Sequence, residues 1–119
     1  MPDRIINDRL IAIKEHINVI ERRMKSISKA SDFRTKQGSV LFDSILIRLQ
    51  ALGENIKKIE EVHPNFIDEK LLIDVDNIIR FRDMVSHHYE KMDIEIIYDI
   101  LIVHIPLLKK AVKNYLKAG

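Results

Sequence analysis

The stretch FRDMVSHHYEKMD, residues 81–93, gathers an arginine, two aspartates, two histidines and a tyrosine into one short span. An imidazole that titrates near neutral pH can act as general acid or base, and a guanidinium can grip an anion and offset its charge. On an ideal helix successive residues turn by about 100°, so Val75, Ile78, Arg82, Val85 and Tyr89 fall along one stripe. Arg82 stands in that stripe where a leucine is expected. A guanidinium on an apolar face is costly unless it is paired or lines a polar cleft. His87 follows five residues later, about 140° round an ideal helix, so the two do not meet on one straight helix. Either the helix loosens between Ser86 and Asp93, or the partner group comes from a second chain. In a two-fold dimer each such motif can face its own copy. Asp83, four residues before His87, is placed to hold that imidazole and favour its charged form. Taken singly, each residue has a plainer reading: a solvated or salt-bridged Arg82, a structural His87, a Tyr89 packed with its hydroxyl wet.

The elements that must position this stretch are helices. Ile6, Leu10, Ile13, Ile17, Ile20, Met24 and Ile27 recur at alternating spacings of four and three, a heptad seam held over residues 3–28. Pro2 suits the first turn of that helix. The seam serves either as internal core or as dimer contact, and core is the default for a small bundle. A polar break, SKASDFRTKQGS (28–39), follows. Within it Ser31 or Asp32 can cap a short turn, and Gly38 is expected to interrupt the chain before the next helix.

The second helix is expected from about Val40 to Val62, with Leu41, Ile45, Leu49, Leu52, Ile56 and Ile59 on its stripe. Gly53 inside it costs about 1 kcal/mol against alanine, which a close helix approach would explain. Pro64 ends this helix by disfavouring helical backbone at His63. A third helix carries Leu71, Leu72, Val75, Ile78, Ile79 and Val85 into the opening stretch. Asp93 caps a fourth, 94–117, which Pro106 should kink because the carbonyl of Ile102 loses its partner. Four long helices with short links, plus one short extra turn, make an all-α antiparallel four-helix bundle, five-helix at most, in a single domain of residues 1–119.

Composition narrows the function classes. The 119 residues are 46% hydrophobic and 32% charged, with a formal net charge of +2. That balance is globular and carries no general basic field, so any nucleic-acid contact has to be local. The absence of cysteine excludes disulfides and thiolate metal sites and fits a reducing compartment. The N-terminal MPDRIINDRL has no signal-peptide core. The most apolar run, IIYDILIVHIPLL (96–108), is too short to span a bilayer and carries Asp99 and His104. The expectation is a cytoplasmic protein without a membrane segment.

The segment R-D-M-V-S-H-H-Y (82–89) matches R-x-x-x-x-H-x-Y, and in this it resembles the HepT-type HEPN toxins. The likeness extends to the N-terminal amphipathic helix, to DFRTKQGSVLFDSILIRLQALGENI (32–56) with its Gly53-Glu54 pair, and to IVHIPLLKKAV (102–112) with its mid-helix proline. The resemblance implies a HEPN-like bundle that forms a homodimer with the motifs facing a shared cleft. It implies a metal-independent ribonuclease, needing no cofactor, in which the ribose 2′-hydroxyl attacks the adjacent phosphate. His87 would be the general base or acid, and Arg82 would hold the scissile phosphate. It also implies a toxin of a type VII-like pair whose partner, an MNT-type nucleotidyltransferase antitoxin, modifies Tyr89 with AMP. Two positions depart from the family pattern: Asp83 stands where asparagine is common, and Val75 where an aromatic is common. Asp83 lends weight to an alternative, a non-catalytic HEPN module that binds a nucleotide or substrate beside a nucleotidyltransferase.

Other candidates have ordinary explanations. His87 and His88 are adjacent, the wrong spacing for a shared metal on a helix. His16 and His104 are single histidines for which core or surface packing suffices. Glu54, Arg34 and Lys36 are expected to be solvated, although Arg34 and Lys36 are also within the reach of an RNA backbone.

Overall fold

The first helix, α1 (Pro2–Arg23), starts at its proline and ends on Arg22 and Arg23, which complement the negative end of the helix dipole. The structure, a computed structural model, describes residues 2–71 and 93–118. The heptad seam is core: Ile6, Leu10, Ile13, Ile17 and Ile20 are each no more than 2% exposed. Full burial of such a side chain contributes about 1.5–3 kcal/mol. Met24 and Ile27 pack partly buried at its edge.

A 3₁₀ turn, Met24–Ser26, closes α1, and the polar break then folds around Asp32. The Asp32 carboxylate accepts the backbone N–H groups of Ser28 (2.8 Å) and Lys29 (3.2 Å). The Ser28 hydrogen bond is the main reason its carboxyl titrates below the ordinary aspartate range. A second 3₁₀ helix, Ala30–Arg34, seats Phe33 in the core, 5.0 Å from the Phe42 ring and 6.3 Å from that of Tyr98.

The second helix, α2 (Lys36–Val62), begins earlier than the sequence pattern suggests. Gly38 does not interrupt the chain. It lies buried in the first turn, where its N–H donates to the Thr35 hydroxyl at 2.9 Å, so Thr35 is the cap. Glycine is required there for space, since a Cβ would stand 1.7 Å from the carbonyl oxygen of Asp32. At the far end His63 leaves the helical backbone, as Pro64 demands, and Asn65 adopts a left-handed φ of 64° before the short α3 (Phe66–Lys70).

Asp93 caps α4 (Ile94–Asp99), accepting the N–H of Glu95 at 2.8 Å. A π-helical turn, Ile100–His104, leads directly into α5 (Ile105–Ala118). The Ile105 N–H bonds the carbonyl of Ile100, five residues back. The interruption expected at Pro106 is therefore met by a widened turn just before the proline, which has no N–H to continue the ladder.

The helix directions follow from named contacts. Arg9 meets Asn55, His16 meets Arg48 and Arg23 meets Ser44, so α1 and α2 run antiparallel. Tyr98 bonds Ser28 while Lys109 bonds Glu21, so the α4–α5 rod also descends against α1. The result is the expected all-α, HEPN-like bundle, with no strand among the described residues. No described helix is long and apolar enough to cross a membrane.

Candidate functional site

Arg82, Asp83, His87 and Tyr89 all fall within residues 72–92, outside the described residues, as do His88 and most of the expected third helix. The described chain supplies the two anchors on either side of them. On the N-terminal side Phe66, Ile67 and Leu71 are buried in the core. The Phe66 ring meets those of His63 (5.4 Å) and Tyr115 (5.2 Å) edge-on. On the C-terminal side Asp93 caps α4, the Tyr98 hydroxyl donates to the Ser28 carbonyl at 2.9 Å, and Arg34 lies 3.8 Å from Glu95. The first anchor sits where α2 ends and the second beside the segment that follows α1. Since α1 and α2 are antiparallel, the two anchors lie at opposite ends of the bundle.

Between α1 and α2 the structure shows a polar seam that single-residue reasoning missed. Arg9, His16 and Arg23 are spaced seven apart, alongside the buried stripe. Arg9 donates to Asn55 Oδ1 at 3.4 Å, Arg48 lies 3.3 Å from His16 Nδ1, and Arg23 Nε donates to Ser44 Oγ. Asn55 is buried and passes its own amide N–H to the Ala51 carbonyl at 2.8 Å. The heptad interval of 9, 16 and 23, matched by 48 and 55 on the facing helix, is the signal that points to this seam.

The middle rung opens on solvent. His16 and Arg48 are half-buried and line an open groove of about 610 Å³ with Glu15, Asn18, Arg22 and Lys25. Burial, then the charge of Arg48, lowers the His16 pKa below its ordinary 6.5, against the opposing pull of Glu15. That lowering favours the neutral ring. Arginine only donates, so Nδ1 accepts and Nε2 carries the proton. Glu21, also on the groove, is engaged by Lys109 at 2.7 Å. Glu54 is exposed, as expected, while His104 is half-buried with Asp99 3.8 Å from its ring.

Residues 13–115 match the family model described as "Ribonuclease HepT-like". A protein of Methanocaldococcus jannaschii named "Putative RNase MJ0127" is 30% identical over 74 residues, which are 62% of this chain and 59% of that protein. The match therefore spans less than two thirds of that relative. No solved structure matches the chain.

Proposed function

Since the chain belongs to the HepT-like ribonuclease family, we propose that it is a metal-independent endoribonuclease acting through Arg82 and His87 at a homodimer cleft. The observation that carries this reading is the family match over residues 13–115, which encloses an unbroken Arg-x-x-x-x-His-x-Tyr at 82–89. His87 takes the proton from the ribose 2′-hydroxyl, or returns one to the leaving 5′-oxygen. Arg82 binds the phosphate between them and offsets the charge that builds as the new P–O bond forms. Asp83 holds the imidazole and favours its charged form, which suits the acid role. One motif on a straight helix does not bring Arg82 and His87 together, so either the backbone loosens after Ser86 or, as the family resemblance implies, the second copy completes the site.

The same reading makes the protein the toxin of a pair. Its antitoxin is an MNT-type nucleotidyltransferase that transfers AMP from ATP to the Tyr89 oxygen, with pyrophosphate leaving. Each added phosphate places bulk and negative charge beside the cleft and repels the RNA backbone. Asp83 favours one second reading: a carboxylate beside a phosphate site opposes RNA, so the dimer serves a nucleotidyltransferase as a non-catalytic binding module.

Purified protein incubated with RNA in chelator, beside Arg82→Ala and His87→Ala, separates the two. Chelator-resistant cleavage lost in both variants supports the ribonuclease. Intact wild type that cuts nothing while still binding a nucleotidyltransferase supports the module.

A further inference from the structure

The groove between α1 and α2 has a donor-rich floor. Arg48 spends one N–H on His16 Nδ1 at 3.3 Å, and among the described residues no other partner takes its remaining N–H groups. His16 lines the same groove, and with Nδ1 accepting from Arg48 its neutral ring keeps Nε2–H as a donor. Asn18 adds an amide, and Arg22 and Lys25 add two exposed cations at the rim. Among the described residues no carboxylate lies within 4.0 Å of Arg48, Arg22 or Lys25. Of the two acidic residues on the groove, Glu21 is committed to Lys109. Glu15 also lines the groove and acts on His16 through its charge. A half-buried guanidinium normally sits against a carboxylate. Among the described residues its hydrogen-bond partner is an imidazole, and no carboxylate pairs with it directly. The volume of about 610 Å³ is that of a ligand cleft, in the range of roughly 300–1,000 Å³.

We infer that this groove is a second, non-catalytic site that binds a phosphate group, with Arg48 and His16 Nε2–H on its floor and Arg22 and Lys25 closing over it. The phosphate belongs either to an RNA backbone or to a free nucleotide. RNA as its source rests on the ribonuclease reading, and the phosphate site itself does not. A charge-assisted hydrogen bond is worth enough that losing the Arg48 contact weakens binding about tenfold or more.

The test follows the His16 ring signals by NMR in the full chain, titrated separately with inorganic phosphate, AMP and a short 2′-O-methyl RNA that cannot be cleaved. The expected result is a saturable shift, weakened about tenfold in Arg48→Gln and less in Lys25→Gln. Circular dichroism checks that Arg48→Gln stays helical, and the exposed Lys25→Gln provides an independent readout if it does not. Tighter binding of RNA than of AMP identifies the backbone as the source, and its salt dependence then drops by about 0.7 in log–log slope per contact removed. The reverse preference identifies a nucleotide. His16 signals unmoved by all three probes, or equal affinity in wild type and both variants, overturn the inference. Cleavage that persists with an unresponsive His16 leaves the ribonuclease standing without the groove. A responsive His16 in a protein that cuts nothing leaves the groove without the ribonuclease.

Discussion

The hydroxyl of Tyr98 donates to the backbone carbonyl of Ser28, 70 positions earlier, at 2.9 Å. This contact ties α4, which starts immediately after the motif-bearing segment, to the loop that leaves α1. Tyr98→Phe removes one solvent-exposed hydrogen bond while keeping the ring edge against Phe33. It should lower stability by no more than about 1 kcal/mol. Phe33→Ala removes a ring that is 1% exposed and touches both Phe42 and Tyr98, at a cost of about 3–5 kcal/mol. Urea unfolding midpoints of the two variants should therefore differ clearly.

Gly38→Ala should destabilise the protein although alanine is the better helix former. The helical preference would favour the change by about 1 kcal/mol. The new Cβ would stand 1.7 Å from the Asp32 carbonyl oxygen, so backbone has to move. Overpacking of this kind costs about 1–3 kcal/mol, and a lowered melting temperature is the expected outcome. A raised one would show that the Thr35–Gly38 turn yields easily.

Among the described residues, Asp32 and His16 contribute to the acid side of the stability profile. The folded pKa of Asp32 is depressed, so its contribution is present above the unfolded value near 3.8 and is lost as pH falls through the folded one. Asp32→Asn should flatten acid unfolding below that pH. The folded pKa of His16 is also lowered, but here the neutral form is the one the fold favours. The unfolded chain binds the proton first, so stability falls as pH drops from 6.5 towards the folded value. His16→Gln should remove that slope in unfolding free energy measured against pH.

Much of the bundle was legible because burial imposes a period. Ile6 to Ile20 had to face one way, and Asp93 had to cap, since a short carboxylate before an apolar run has few better uses. Gly38 was misread because glycine breaks helices in the open chain. Here the Thr35 hydroxyl satisfies its N–H, and the close approach of Asp32 makes glycine necessary. The His16–Arg48 pair was invisible because its members are 32 positions apart and meet only once the α1–α2 register is known. The candidate quartet was the opposite case. Arg82, Asp83, His87 and Tyr89 stood out by residue type and spacing, took their expected roles from the family resemblance, and lie outside the described residues.

The core seam offers a direct energetic check. Ile13 and Ile17 are 0% exposed at the middle of α1. Either residue changed to alanine should cost about 2–5 kcal/mol. Ile11, on the same helix but 45% exposed, should tolerate alanine within about 0.5 kcal/mol. Denaturant titration of the three variants measures the contrast.

The ends left on cut RNA test the proposed chemistry most directly. Attack by the ribose 2′-hydroxyl leaves a 2′,3′-cyclic phosphate on one fragment and a 5′-hydroxyl on the other, and mass spectrometry of the products reads both. The account predicts those ends in the presence of chelator, and no product from an RNA carrying a 2′-deoxy sugar at the scissile position or from Arg82→Ala or His87→Ala protein. A 5′-phosphate on the downstream fragment, or cleavage that survives loss of the 2′-hydroxyl, would contradict it.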